Sequence, residues 1–152
     1  MKLEKAIKQG KFTSGYHRLM VNIAYTNSYL STIIAGRLKP YDLSMQQYNV
    51  LRILRGQHPD PVSVNSITER MIDKMSNASR LVEKLRKKSL VERNKCESDR
   101  RQVDVSLTQK GFDTLTELDD IISNVEGIIK HLDEDEVKKL NELLDKIRSD
   151  EK

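Results

Sequence analysis

Residues 76–107 decide the fold, and they read SNASRLVEKLRKKSLVERNKCESDRRQVDVSL. The first part carries apolar residues at the i, i+3, i+4 and i+7 spacing of one helix face, namely Ala78, Leu81, Val82 and Leu85. We predict a helix over about residues 76–88, with Ser76 as its N-cap. Two runs rich in strand formers follow at 90–95 and 102–107, and the polar residues between them are typical of a hairpin tip. The stretch therefore predicts a helix followed by a β-hairpin.

The residues just before this stretch predict a second, shorter helix. Residues 62–64 alternate as a short strand would, and a helix from about residue 65 or 66 would place Ile67 and Met71 on one face. A polar turn around residues 73–75 separates the two helices.

The order of short helix, turn, second helix and hairpin is that of a winged helix-turn-helix. We therefore expect a mainly α protein with a small β-wing, of class α+β. The winged helix-turn-helix would span residues 44–107, with its recognition helix at about 76–88 and its wing at about 90–107.

Amphipathic helices are also predicted before this module and at its start. Apolar residues at helical spacing run over residues 14–38. Pro40 ends this helix because proline cannot continue the hydrogen-bond ladder. Ser44 and Gln47 have the spacing of a capping box, so another helix should begin there.

The C-terminal third has a heptad seam. Its apolar residues are spaced 3, 4, 3, 4, 3 from Leu115 to Leu132, a pattern that packs against a partner helix. Thr108 is expected to cap this helix, and Asp133 with Glu136 forms a capping box for a last helix. Such a seam can pack within the chain or between two chains. We favour the second interpretation, with residues 14–38 and 108–150 as the dimerisation helices of a single domain that spans residues 1–152.

Charge is distributed unevenly along the chain. Basic side chains outnumber acidic ones by nine to three over residues 1–64 and by twelve to seven over 65–110, whereas acidic ones lead by thirteen to six over 111–152. A basic body with an acidic end favours a polyanion partner approached from one side. The alternative is that these charged helix faces are simply hydrated.

Composition argues against several other classes of protein. No apolar run approaches the ~18 residues of a membrane-spanning helix, so we expect a cytoplasmic protein without a membrane partner. The single cysteine, Cys96, excludes an internal disulfide and a cysteine-cluster metal site. His17, His58 and His131 lack the spacing of metal ligands. Because no catalytic pattern or phosphate loop is found either, we predict neither an enzyme nor a cofactor or metal.

The polar face of the 76–88 helix supplies candidate DNA contacts. At about 100° per residue, polar side chains lie opposite the apolar face or at its edges, and the candidates are Ser76, Asn77, Ser79, Arg80 and Lys84. Small hydroxyl and amide groups with an arginine can hydrogen-bond to base edges in the major groove. Every amphipathic surface helix has a polar face, however, so this face alone leaves both interpretations open.

The hairpin tip supplies the remaining candidates. Asp99 and Arg101 lie two residues apart, hence on the same face of a strand, where their charges can pair. A carboxylate there can hold a guanidinium in the direction of a narrow, negative minor groove. Arg100 points to the other face and is interpreted as a phosphate contact. Cys96 is interpreted as an incidental surface cysteine, with an oxidation switch beside the basic Lys95 as the less favoured alternative.

Several segments together resemble the MarR family of bacterial transcription regulators. They are residues 66–71 (SITERM), 79–85 (SRLVEKL), 90–93 (LVER), 99–101 (DRR) and 107–111 (LTQKG). The resemblance implies a homodimer with two winged heads on double-stranded DNA at a near-palindromic operator, where it usually represses transcription. It also implies release by a small aromatic or phenolic effector.

The resemblance carries over to particular residues. It implies contacts from Ser76, Asn77, Ser79 and Arg80 of the recognition helix and from the wing pair at 99 and 101. One departure is residues 72–75, where many members have a glycine-containing turn and this chain has Asp73. That carboxylate either shapes sequence preference or caps a helix. The alternative function is a winged-helix module that contacts proteins without specific DNA binding.

Overall fold

The computed structural model describes residues 1–95 and 103–149. Its α-helices are α1 (Leu3–Ala6), α2 (Gly15–Leu38), α3 (Met45–Gln57), α4 (Val64–Arg70), α5 (Ala78–Lys87), α6 (Gln109–Glu126) and α7 (Glu134–Arg148). Short 3₁₀ turns follow α2 and α6, at Lys39–Tyr41 and Gly127–Ile129. The strands are β1 (Val62–Ser63), β2 (Val91–Lys95) and β3 (Val103–Leu107). The fold confirms the predicted winged helix-turn-helix of class α+β.

The sheet is small and antiparallel. Its strand order is β1-β3-β2, with Val62 opposite Val105 and Val91 opposite Leu107. β2 and β3 are the two strands of the predicted wing. β1 adds a third strand on the other edge of β3, which ties the wing to the chain just before α4.

The hydrophobic core lies where α3, α4 and α5 meet the sheet and the first half of α6. Every one of these elements contributes fully buried side chains, which are Val50, Leu51, Ile67, Val82, Leu85, Val105, Leu115 and Leu118. Burial of this much apolar surface is the main force that fixes the helices. Because α5 buries its apolar face here, its other face is held outward.

Local capping determines where the helices begin. Ser44 and Gln47 form the predicted capping box, with the Ser44 Oγ accepting the Gln47 N–H at 3.1 Å. The Thr108 Oγ1 accepts the Gly111 N–H at the start of α6, and Asp133 with Glu136 forms the second capping box. These contacts confirm the predicted starts of α3, α6 and α7.

Two predicted helix starts are wrong by one or two residues. The recognition helix does not begin at Ser76, because Asn77 is the N-cap and α5 begins at Ala78. The short helix begins at Val64 rather than residue 65 or 66, because the Ser63 Oγ accepts the Ser66 N–H at 3.1 Å. In both places more than one polar residue near the helix start can cap, and the surrounding turn selects one.

The apolar residues of α6 and those of α7 differ in burial. Leu115, Leu118 and Val125 are buried within their own chain, as the intramolecular interpretation expects. Leu140 and Ile147 of α7 are 48% and 57% exposed. The apolar residues of α7 are therefore only partly covered by the described residues of one chain.

Candidate nucleic-acid interface

The N-terminal half of α5 presents a polar face to solvent. The Asn77 Oδ1 accepts the Arg80 N–H at 2.9 Å and caps the helix, a stabilising contact for an otherwise unpaired donor. Ala78 is buried on the inner face, whereas Ser79, Arg80 and Lys84 are exposed. Four of the five predicted contacts on this helix (Asn77, Ser79, Arg80 and Lys84) thus lie on one accessible surface.

Ser76 occupies a different place from the other candidates. It is half-buried, and its Oγ is withdrawn from solvent. Its backbone N–H donates to the carbonyl of Asp73 at 3.1 Å, inside the turn that precedes α5. In this conformation Ser76 belongs to the support of the helix rather than to its exposed face.

The turn before α5 is held by three side chains. The Asp73 Oδ1 accepts the Met75 N–H at 3.0 Å, and its Oδ2 lies 3.5 Å from the Nε2 of Gln46 on α3. The Asn49 Oδ1, also on α3, accepts the Ile72 N–H at 2.9 Å. The hydrogen bond from the Met75 backbone, followed by that from Gln46, lowers the pKa of Asp73 below its ordinary value. Asp73 thus holds the turn together through hydrogen bonds that favour its ionised form.

The acidic residue of α5, Glu83, pairs with arginines other than Arg80. Glu83 pairs with Arg86 at 2.9 Å and with Arg93 of β2 at 3.5 Å, and the Arg86 hydrogen bond lowers the pKa of the Glu83 carboxyl. Within residues 1–95 and 103–149, neither Arg80 nor Lys84 forms an ion pair. Unpaired exposed cations are what a phosphate backbone requires.

A second basic surface lies behind α5. A groove of about 750 Å³ separates the end of α2 from α5, and its polar lining includes Lys39, Asp42, Ser44, Lys84, Lys87 and Lys88. The Lys88 Nζ lies 2.8 Å from the Asp42 Oδ2, and this hydrogen bond lowers the pKa of Asp42. Four lysines and one carboxylate line the groove, so its net charge is positive and suits an anion.

The remaining predicted residues lie outside the described residues. They are Cys96 and the wing residues Asp99, Arg100 and Arg101. The strands on either side, β2 and β3, pair from Val91 with Leu107 to Lys95 with Val103. None of the helices in the described part of the chain is long and apolar enough to cross a membrane.

Sequence reasoning missed the residues that position α5. Gln46 and Asn49 lie on α3, 27 and 23 residues away from their partners in the turn, and no local pattern marks them. The high exposure of Ile72 and Met75 in the same turn was also missed. A polar turn with two apolar residues was the one available signal.

Known proteins resemble this chain over most of its length. The MarR family model matches residues 43–103. The HTH-type transcriptional regulator MgrA of Staphylococcus aureus is 32% identical over 109 residues, which are 72% of each chain. A crystal structure of a MarR transcription factor from Planctomyces limnophilus has a TM-score of 0.68 at 29% identity, over 89% of this chain and 98% of its own. The S. aureus MepR–DNA complex has a TM-score of 0.75 at 21% identity, over 90% and 97%, and there the likeness concerns the fold alone.

Proposed function

The chain belongs to the MarR family of transcription regulators, and we propose that it is a homodimeric repressor that binds double-stranded DNA at a near-palindromic operator. The observation that carries this proposal is the two exposed cations of α5, Arg80 and Lys84, which form no ion pair within the described residues and lie opposite a buried apolar face. A structural neighbour, MepR, has been crystallised with DNA, which supports the same use of the fold.

The proposed contacts divide by their role. Ser79 and Arg80 lie at the start of α5 and bind base edges in the major groove, where an arginine pairs well with guanine. Lys84 lies one turn further along and neutralises a phosphate. Asp99 and Arg101 of the wing remain the proposed minor-groove pair, with Arg100 on phosphate. Asn77 contributes through its side-chain amide while its oxygen caps the helix, and Ser76 supports the turn.

The proposed dimer uses the apolar surface of α2 and α7. A groove of about 670 Å³ lies between them, and its apolar lining is Leu19, Ile23, Leu30, Leu140, Leu143, Leu144 and Ile147. Tyr16 and Met20 continue this surface at 83% and 70% exposure. A contiguous apolar surface of this kind marks an interface, and a second copy of α2 and α7 is its proposed cover.

DNA binding is tested by fluorescence anisotropy on the DNA that flanks the gene, across a series of salt concentrations. Arg80→Ala should weaken specific binding by about 1–3 kcal/mol and relax preference at one base position. Lys84→Ala should lower the salt slope by about two units, because one phosphate is no longer neutralised by each of the two heads. Lys138→Ala, which removes the same charge from exposed α7, is the matched control and should change neither quantity.

The main alternative is a winged-helix module that contacts proteins. It predicts that the basic face of α5 tolerates loss of charge. Absent or salt-insensitive DNA binding by a folded dimer contradicts the proposed function and favours this alternative.

Dimerisation is tested by light scattering after size-exclusion chromatography. Leu140→Lys places a charge in the apolar surface and should yield monomers. Ile72→Lys makes the same kind of change at a residue that is 86% exposed and lies outside that surface, so it should remain dimeric. A dimeric Leu140→Lys variant would place the interface elsewhere.

Release by a small aromatic or phenolic effector is proposed to occur through the lysine-lined groove behind α5. Its lysines complement a phenolate or carboxylate, and its volume of about 750 Å³ suits a small ring compound. A panel of phenols and benzoates is titrated into the protein–operator complex at constant ionic strength. Lys39→Gln alters the groove without touching α5, so it should keep operator affinity and require a higher effector concentration for release. Unchanged release by Lys39→Gln contradicts this location.

A further inference from the structure

Two apolar side chains stand out from the turn that precedes α5. Ile72 is 86% exposed and Met75 is 93% exposed. Apart from Met1, no other large apolar side chain in residues 1–95 and 103–149 is as exposed as these two. Met71, their neighbour, is 1% exposed. Two consecutive apolar residues, Met71 and Ile72, therefore lie one in the core and the other in solvent.

This exposure is built into the turn rather than left by a loose loop. The Ile72 N–H is held by the Asn49 Oδ1 at 2.9 Å, and the Met75 N–H by the Asp73 Oδ1 at 3.0 Å. The Ser76 N–H donates to the Asp73 carbonyl at 3.1 Å. These three hydrogen bonds hold the backbone of the turn in the conformation that leaves the side chains at 72 and 75 exposed.

Met75 lies near the proposed DNA-binding face of α5 and outside the apolar surface proposed for the dimer. It lies two residues before Asn77, the N-cap of α5, and is therefore next to the N-terminus of this helix. The cations on either side of it in sequence, Lys74 and Arg80, are exposed and complement a phosphate backbone. The apolar groove proposed for the dimer is lined by α2 and α7 instead.

The major groove offers one apolar feature to such a side chain, the C5-methyl group of thymine. Methionine suits this contact because its unbranched, polarisable side chain adapts to an irregular apolar surface. We propose that Met75 contacts a thymine methyl group in each half-site, and so specifies thymine beside the bases that α5 reads. The inference rests on the proposed DNA binding and adds a specificity-determining residue to it.

The test replaces thymine by deoxyuridine, which removes only the methyl group and leaves base pairing intact. Symmetric thymine pairs of the operator are replaced one pair at a time, and the affinity of the full-length protein is measured by anisotropy at fixed salt. Removal of one buried methyl group should weaken binding about four-fold per half-site. One thymine pair should show this effect with the wild-type protein.

The variants assign the effect to its side chain. Met75→Ala should bind the thymine operator more weakly and no longer distinguish it from the deoxyuridine operator. Met75→Leu should keep the distinction, and so should Ile72→Ala, the matched exposed control. Thermal midpoints should stay at the wild-type value because both side chains are exposed.

Three results overturn the inference. One is wild-type binding that is insensitive to deoxyuridine at every thymine, and another is a full deoxyuridine penalty with Met75→Ala. Either of these, found together with normal salt-dependent operator binding, leaves the proposed function standing. The third is the absence of salt-dependent DNA binding, which overturns the proposed function and the inference with it.

Discussion

Gly111 lies in the first turn of α6, at the junction between the winged head and the C-terminal helices, and an added methyl group there should destabilise this junction. A Cβ at this residue would lie 2.2 Å from the carbonyl oxygen of Leu90. That oxygen accepts the Thr108 N–H at 3.2 Å, while the Leu90 N–H donates to the Leu85 carbonyl at 3.1 Å. The obstructing group is therefore backbone that is hydrogen-bonded on both sides. Gly111→Ala should destabilise the fold.

The size of the effect follows from two opposing terms. An ordinary C···O contact is about 3.3 Å, so the Leu90 carbonyl must retreat by about 1 Å and give up its bond to Thr108. Overpacking of this kind costs about 3 kcal/mol at the upper end of the usual range. Alanine in place of glycine returns about 1 kcal/mol of helix propensity. The free energy of unfolding should fall by about 2 kcal/mol, or about 4–8 °C in Tm for a chain of this size.

The assay is thermal and urea unfolding, followed by circular dichroism at one protomer concentration because a dimer's stability depends on it. Gly36→Ala and Gly56→Ala are matched controls, since a Cβ at either residue meets nothing within 4 Å. Both controls should be neutral or stabilised by up to about 1 kcal/mol. A Gly111→Ala variant as stable as these controls would refute the close approach of Leu90.

Substitutions at other contacts of the same junction and turn should also have measurable effects. Ser89 has a φ of 60°, so Ser89→Gly should raise the free energy of unfolding by up to about 1 kcal/mol in a urea titration, and a decrease would contradict the left-handed conformation. Arg55 binds Asp119 through two hydrogen bonds of 2.8 Å and thereby lowers the pKa of Asp119. The ion pair therefore stabilises the fold above the ordinary aspartate pKa, and this stabilisation is lost as the pH falls through the lowered pKa of Asp119. Asp119→Asn should lower the free energy of unfolding by about 0.5–1 kcal/mol at neutral pH and leave it unchanged in strong acid. Urea titrations across a range of pH values measure this difference. Asn49→Ala frees the Ile72 N–H, so anisotropy should show weaker operator binding with an unchanged salt slope; an altered slope would mean that the protein also neutralises fewer phosphates.

Much of the fold was predictable because its determinants are local. The capping box of Ser44 and Gln47 and the caps at Thr108 and Asp133 need only residues three positions apart. The alternation and spacing that predicted α5 and the wing strands are equally local. The cap of α5 was misplaced by one residue because Ser76 and Asn77 can both cap. The Asp73 carbonyl takes the Ser76 N–H and so leaves the role to Asn77.

What could not be predicted are contacts between residues far apart in the chain. Asn49 reaches Ile72 across 23 residues and Arg55 reaches Asp119 across 64, and neither pairing leaves a pattern in the sequence. The candidate site follows the same division. The exposed face with Arg80 was predictable from helical spacing, whereas the burial of the Ser76 Oγ depends on packing. The wing pair of Asp99 and Arg101 stays a prediction, since it lies outside the described residues.

Lys84 belongs to two of the proposed binding surfaces. This lysine lies on the exposed face proposed to bind phosphate and also lines the groove behind α5, so DNA and an anionic effector would compete for one ammonium group. Linkage requires that bound DNA lower the affinity for the effector by the same factor by which bound effector lowers the affinity for DNA. If Lys84 carries this competition, Lys84→Gln should bring that factor towards one.

Lys39→Gln is the comparison, because Lys39 lines the groove but lies outside α5. It should lower the affinity for the effector by the same factor with and without DNA, and so leave the coupling factor unchanged. Calorimetric titration of the effector into the free protein and into the operator complex measures both quantities. Full coupling in Lys84→Gln would exclude competition for a shared charge. Release would then have to act through the contacts that orient the head, among which the ion pair between Lys88 and Asp42 joins two residues that line the groove.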